Sequence, residues 1–358
     1  RTTGEATIRQ IGERWTSGNL ASEFPDHVRP KKSGAEDAGL FERYVYPYVG
    51  EVPIARFTLD HGMAVMARIP SDRAPQTRRH VAQAMRKLLA YAVFPLRLRP
   101  DNPLDTPHFL TRLGKRKLKS YLYPAEDRTL LGCVAVPLNY RVLYAFLARE
   151  GMRASEAAGL TWSDLDLKIG LVTLAKNKTN DPRSWPLRPD VVRALRTLKE
   201  RTGASEDDTV FTAHPQPKHM RNHLEKAGIA RPVLFRGDDT YQAIRVHDFR
   251  ATFVTVALAN GATEDWVMRR TGHRSSVMVQ LYRRGAQNAA DVNLGDFAPM
   301  DAAIPELAGH EGDAPPDGGA AGYSPGTAPS DTSRAVASEI ENHEDRSVSR
   351  HAESPNPA

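Results

Sequence analysis

The sequence predicts a mainly α protein with a small β-sheet or hairpin, built as two domains. Three observations carry this. At 358 residues the chain is too long for one ordinary core. Apolar residues recur at helical spacing through most of it, as in Val81, Met85, Leu88 and Ala92. One short strand, Leu171-Val172-Thr173-Leu174, leads through a polar turn to Ser184-Trp185-Pro186-Leu187, which reads as a hairpin.

Taken in order, residues 1–104 form a helical domain. Its clearest helix runs from Thr77 to Ala92, ends at Phe94-Pro95, and is followed by the turn-rich Arg99-Pro100-Asp101-Asn102-Pro103. Residues 105–120 read as a basic linker, with Lys115-Arg116-Lys117-Leu118-Lys119 at its end. A second domain spans 121–300. It opens with a helix over Tyr140 to Glu150 and continues into the hairpin. Pro189 starts a helix with Val191, Leu195 and Leu198 on one face. Further helices are expected near 216–227, 247–260, 263–271 and 275–283, with Gly261 and Gly272 at C-terminal caps. Residues 301–358 are an acidic tail, read as disordered from about Gly309 because it has too little apolar content to offset ordering entropy. Within 285–307, Phe297, Met300 and Ile304 are expected to pack on a neighbouring protomer. No internal repeat is visible.

Composition narrows the function classes. The hydrophobic fraction is 40%, enough for globular packing. No run reaches the length of about 18 apolar residues that a membrane span needs. The single cysteine, Cys133, excludes an internal disulfide and every zinc site that needs two cysteines, so a reducing cytoplasmic setting is expected. No secretory h-region follows the first residue, and Arg1 in place of Met points to a processed or truncated start. The net charge of +6 hides an asymmetry. Residues 301–358 hold 11 acidic and 3 basic side chains, a net of −8. Residues 1–300 hold 46 basic and 32 acidic, a net of +14. A body this basic fits either a solvated surface or a polyanionic partner.

Breaking a phosphodiester without a metal needs a nucleophile, fixed cations for the equatorial oxygens, and an acid for the leaving oxygen. Arginine suits the cationic task, since its planar fork holds phosphate oxygens and stays charged. Arg153 lies in the turn opened by Gly151, where it could equally pair with Glu156 at i+3. Lys178 sits at the hairpin tip, where a lysine is either solvated or able to reach into a groove as a proton donor; Lys176 is a nearby rival. His247 and Arg250, three apart, share a helix face. His273 follows Gly272, and Tyr282 ends the next helix, where a tyrosine is commonly a core-edge aromatic. His214, His219 and His223 form a separate cluster. With no Cys or acidic third ligand, a solvated or DNA-facing helix is the preferred reading there, and no metal is expected.

In this order and at these spacings the pieces resemble the tyrosine recombinases, or phage integrase family. The likeness runs through Gly-Met-Arg-Ala-Ser-Glu-Ala-Ala-Gly-Leu (151–160) and Thr161-Trp162-Ser163-Asp164-Leu165-Asp166. It continues at Lys178-Thr179 with Pro186-Leu187, then His247-Asp248-Phe249-Arg250, Gly272-His273 and Tyr282. It covers 120–285 closely and the helical N-terminal part loosely. An ordered five-part signature is far more specific than any lone motif. Ala251, Thr271 and Gln280 depart from residues common in the family, though none removes a catalytic group.

The resemblance implies a two-domain clamp around duplex DNA, with a helical core-binding domain and a catalytic domain. It implies Tyr282 as nucleophile, giving a 3′-phosphotyrosyl intermediate and a free 5′-hydroxyl. Arg153 and Arg250 would hold the scissile phosphate and Lys178 would protonate the leaving oxygen. His247 would assist as acid or base, and His273 would donate to a phosphate oxygen. No metal, cofactor or ATP is implied, because the covalent intermediate conserves the bond energy. The implied partners are double-stranded DNA and a homotetramer. Arg78, Arg79, Arg86, Lys87, Lys115, Lys117 and Lys119 are the candidate DNA-backbone contacts. A mobile-element integrase is the expected type. A type IB topoisomerase shares the chemistry but needs additional large domains. A DNA-binding regulator with the same fold would not need the full set of cationic and tyrosine side chains.

Overall fold

The computed structural model describes residues 6–106, 108–114, 117–175, 182–273 and 275–308, and divides the chain into two units, Arg1–Arg116 and Lys117–Ala358. Both are mainly helical, as expected, with small sheets in the second.

The first unit gathers short helices around Pro75–Val93. Val81, Met85, Leu88 and Ala92 are buried along that helix, as their spacing requires. They meet Ile8, Ile11 and Trp15 from Ile8–Thr16 in one core, where Trp15 and Tyr91 lie edge to face at 5.6 Å. That core extends past position 104, because Phe109 is buried in it.

The second unit is organised on Leu138–Glu150, a helix buried nearly all round. Such a helix must satisfy its charged groups internally. Arg149 does so through Asp127 at 2.9 Å and the Ala298 carbonyl at 2.7 Å. A three-stranded antiparallel sheet places Leu171–Leu174 between Leu165–Asp166 and Arg183–Pro186. Its register sets Val172 opposite Trp185 and Leu174 opposite Arg183, so the alternating buried residues face the core. The hairpin expected from the sequence is therefore present. Its tip, with Lys176 and Lys178, lies outside the described residues, as do Lys115 and the acidic tail from 309 onward.

Three expectations change. Leu118–Lys119 is no connector; it pairs in parallel with Tyr241–Gln242 inside the second unit. The last helix does not stop at 283. It runs Ser276–Asp291 straight through Gly285, which lies close against Tyr121 and accepts its hydroxyl at 3.3 Å. Phe297, Met300 and Ile304 are not left for a neighbouring protomer, because they are buried in this unit's own core with Ala303 and Leu307. Their apolar area is removed from water within the chain, and Met300 N donates to buried Asp190 at 2.8 Å. Among the described residues, no helix is long and apolar enough to cross a membrane.

Candidate active site

The site is assembled at helix ends. Leu138–Glu150 stops at Gly151, whose φ of +64° is the left-handed cap that glycine tolerates best. A side chain there would also collide with Phe253, since a Cβ would lie 2.3 Å from its ring. The turn delivers Arg153 to the N-terminus of Ala154–Ala157. Glu264–Thr271 ends in the same way at Gly272, φ +67°, where a Cβ would meet the Arg183 guanidinium at 1.9 Å. His273 follows, its backbone N–H bonded to the Met268 carbonyl at 3.1 Å.

Buried Glu150 holds these pieces together. It accepts from Trp185 Nε1 at 2.9 Å, from the Arg188 backbone at 3.0 Å, and from Arg270 at 2.6 Å. One carboxylate thus joins the first helix end, the hairpin and the helix that carries His273.

Arg250, on Asp248–Ala259, is buried with 3% exposure. Its guanidinium donates to the Gly151 carbonyl at 2.7 Å and to the Thr271 carbonyl. Burial, then repulsion from Arg153 and Arg183, lowers its pKa to about 9. Arg153 donates to Glu156 Oε1 at 2.5 Å, the i+3 pair allowed by the sequence. Arg183 donates to the other oxygen of Glu156 at 2.6 Å and to the Thr271 carbonyl at 2.7 Å. Glu156 is thereby shared by two arginines.

His247 stands at the N-cap position of the Asp248–Ala259 helix, exposed and without a side-chain capping bond. Desolvation by the protein beneath it, then Lys119 and Arg250, hold its pKa below the usual range. His273 is half-buried, and burial followed by Arg250, Arg153, Lys119 and Arg183 brings its pKa down to about 4. Its Nδ1 lies 3.0 Å from the Thr271 hydroxyl. Tyr282, 8% exposed, lies in one buried cluster with Phe253, Val254 and Val267 of other helices and Val279 of its own, and Lys119 Nζ stands 5.8 Å from its ring centroid.

Five of the six catalytic candidates, Arg153, His247, Arg250, His273 and Tyr282, therefore lie in one electrostatic neighbourhood, while Lys178 falls outside the described residues. Lys119, read from the sequence as a DNA-backbone contact, stands inside the cluster. Arg183 and Glu150 were not singled out at all. The only sequence signal for Arg183 was its place in the hairpin strand after the lysine turn.

The remaining basic candidates separate. Arg78 donates to the Ile69 and Met66 carbonyls at 2.7 and 2.9 Å, closing the end of Leu59–Arg68. Arg79 donates to the Thr111 carbonyl at 2.8 Å, and Arg86 pairs with Asp105. These three guanidiniums have internal acceptors that the sequence did not reveal. Lys87 lies over the Tyr91 ring at 4.6 Å and Lys117 is exposed. In the histidine cluster, His223 is not solvated: it is 7% exposed and bonded through Nδ1 to the Tyr144 hydroxyl at 3.0 Å. Among the described residues no three potential ligands gather around a metal-sized space.

Residues 121–289 match the model described as the phage integrase family. A tyrosine recombinase XerA of Thermococcus onnurineus is 23% identical, over 52% of this chain and 62% of that one. A tyrosine recombinase XerD of Yersinia pestis is 29% identical, over 60% and 73%. The chain thus spans less than two thirds of the first relative's length. Among solved structures, a lambda integrase dimer bound to a COC' core site superposes with a TM-score of 0.59 at 14% identity, over 79% of this chain and 78% of that one. A lambda integrase tetramer bound to a Holliday junction gives 0.56 at 14%, over 75% and 78%. At this identity the superpositions show a common fold.

Proposed function

From a chain that belongs to the tyrosine recombinase (phage integrase) family through residues 121–289, we infer a site-specific DNA recombinase that cuts and rejoins duplex DNA through a 3′-phosphotyrosyl link to Tyr282. The observation that carries this reading is the crowding of like charge. Arg250, Arg153, Lys119 and Arg183 act on His273 and Lys119 and Arg250 on His247, both histidines lie below their usual pKa, and Glu156 is shared between two of the arginines. Close cations raise one another's free energy unless an anion joins them. A phosphodiester supplies that anion.

In this reading the Tyr282 oxygen attacks phosphorus and the 5′-oxygen leaves. Arg153 and Arg250 neutralise the equatorial oxygens as charge builds. Lys178 protonates the leaving oxygen, His247 serves as acid or base, and His273 donates to a phosphate oxygen. Rejoining reverses the same steps, so neither ATP nor a metal enters. Double-stranded DNA is the partner, and four protomers act on two sites; the tetrameric lambda integrase on a Holliday junction supports that stoichiometry by fold alone. A mobile-element integrase is the proposed type.

The test uses a nicked suicide duplex built from DNA fragments that crosslink to the protein. Wild type should form a covalent adduct that survives a denaturing gel. Tyr282→Phe should form none while binding the duplex within a few fold. Absence of adduct with wild type on a bound duplex refutes the reading.

A further inference from the structure

Thr271 ends the Glu264–Thr271 helix and is fully buried. Its hydroxyl oxygen lies 2.6 Å from the Val267 carbonyl oxygen and 3.0 Å from His273 Nδ1. A hydroxyl has one hydrogen. At 2.6 Å from a carbonyl oxygen, that hydrogen must sit between the two oxygens, because facing lone pairs would repel. The Thr271 oxygen then offers His273 only a lone pair. Nδ1 must carry the hydrogen of this second bond and donate it.

Backbone geometry leaves little freedom to escape the arrangement. The left-handed Gly272 turn and the bond from His273 N–H to the Met268 carbonyl fix where the ring begins. The Thr271 carbonyl is itself held by Arg183 at 2.7 Å and by Arg250. Among the described residues, the charged groups that act on the ring come from four elements: Arg250 from Asp248–Ala259, Arg153 from the turn after Gly151, Lys119 from its strand, and Arg183 from the hairpin. All are cations. Together with burial they keep a second proton off the imidazole, so at neutral pH Nε2 is a bare lone pair.

We propose that Thr271 is a positioning residue that fixes His273 as the Nδ1–H tautomer, so that Nε2 donates to the scissile phosphate only after taking up one proton from solvent as DNA binds. The proton comes from water or buffer, and no bond in the DNA changes in this step. The phosphodiester brings one negative charge among the cations and offsets the repulsion that kept the proton away. The second half of the proposal rests on the reading of His273 as a phosphate ligand; the tautomer does not.

The tautomer is read without DNA, from long-range nitrogen–proton spectra of the full chain labelled with ¹⁵N-histidine. Signals of His273 are those lost in His273→Gln. Wild type and Thr271→Ser should show a neutral ring protonated on Nδ1, and Thr271→Val should move towards the Nε2–H form. An Nε2–H ring in wild type, or no change in a folded Thr271→Val, overturns the assignment; the wild-type spectrum decides it even if that variant does not fold. Calorimetric titration of wild type with the nicked duplex, in two buffers of different ionisation enthalpy near pH 7, should show uptake of about one proton per bound site. Uptake that is the same in His273→Gln overturns the DNA-linked step. Adduct formation in Thr271→Val should slow on the order of tenfold, the scale of one hydrogen bond, with Thr271→Ser near wild type. Equal rates in wild type and the valine variant refute the positioning role. Failure of wild type to form adduct refutes the functional reading and leaves the tautomer assignment standing.

Discussion

Arg270 donates to Glu150 at 2.6 Å across 120 positions of sequence, with both side chains buried. The pair fastens the helix that carries His273 to the turn that carries Arg153. Removing one member strands the other charge in the core, which costs about 3–5 kcal/mol. Arg270→Met should therefore lower the stability of the second unit by that order, seen as a fall in the urea midpoint at unchanged slope. A midpoint within experimental error of wild type would contradict the role given to Glu150.

Gly272 should not tolerate a methyl group. Alanine in the left-handed region costs about 1–2 kcal/mol. Its Cβ would also meet the Arg183 guanidinium and push it from the Thr271 carbonyl and Glu156. Gly272→Ala is expected to lose adduct formation out of proportion to its loss of stability. Parallel measurement of urea unfolding and single-turnover cleavage separates the two effects.

Lys119 projects from an exposed two-residue strand, so its removal should leave the fold unchanged. Its ammonium lies over the Tyr282 ring and acts on both His247 and His273. Lys119→Ala should slow adduct formation on the order of tenfold, more than a distant surface lysine contributes. The same substitution at Lys117 serves as the control, with little change expected.

Stability of the DNA-free protein should depend on pH through His273. Its folded pKa, about 4, lies below the ordinary histidine value of 6.5. The unfolded chain therefore binds the proton first as pH falls. The contribution is fully present above about pH 6.5 and is lost progressively towards pH 4. His273→Gln removes that titration, so the difference between wild-type and variant urea midpoints should change across this window. A constant difference from pH 7 to 4.5 would show that His273 is not held neutral.

The helices and the hairpin were legible because apolar periodicity and turn residues are local signals. Val81, Met85, Leu88 and Ala92 could face only one way, and the run at Leu171 paired as its alternation required. The order of Arg153, His247, Arg250, His273 and Tyr282 was legible as a pattern, though each residue alone had an ordinary explanation. The partners of polar groups were not legible. Nothing local ties Arg270 to Glu150, Arg183 to Glu156, or Arg78 to carbonyls of the preceding helix. Long-range hydrogen bonds leave no periodicity, so basic residues with internal acceptors looked the same as free ones. The destination of Phe297, Met300 and Ile304 was hidden for a related reason: apolar residues show that something covers them, not what does.

In the proposed reaction the cationic frame makes Tyr282 the nucleophile. This role is tested most directly by digesting the covalent protein–DNA adduct with protease and nuclease and locating the attached nucleotide by mass spectrometry. The expected product is a nucleotide joined through its 3′-phosphate to the oxygen of Tyr282. Attachment at another residue, or through a 5′-phosphate, would contradict the proposed reaction.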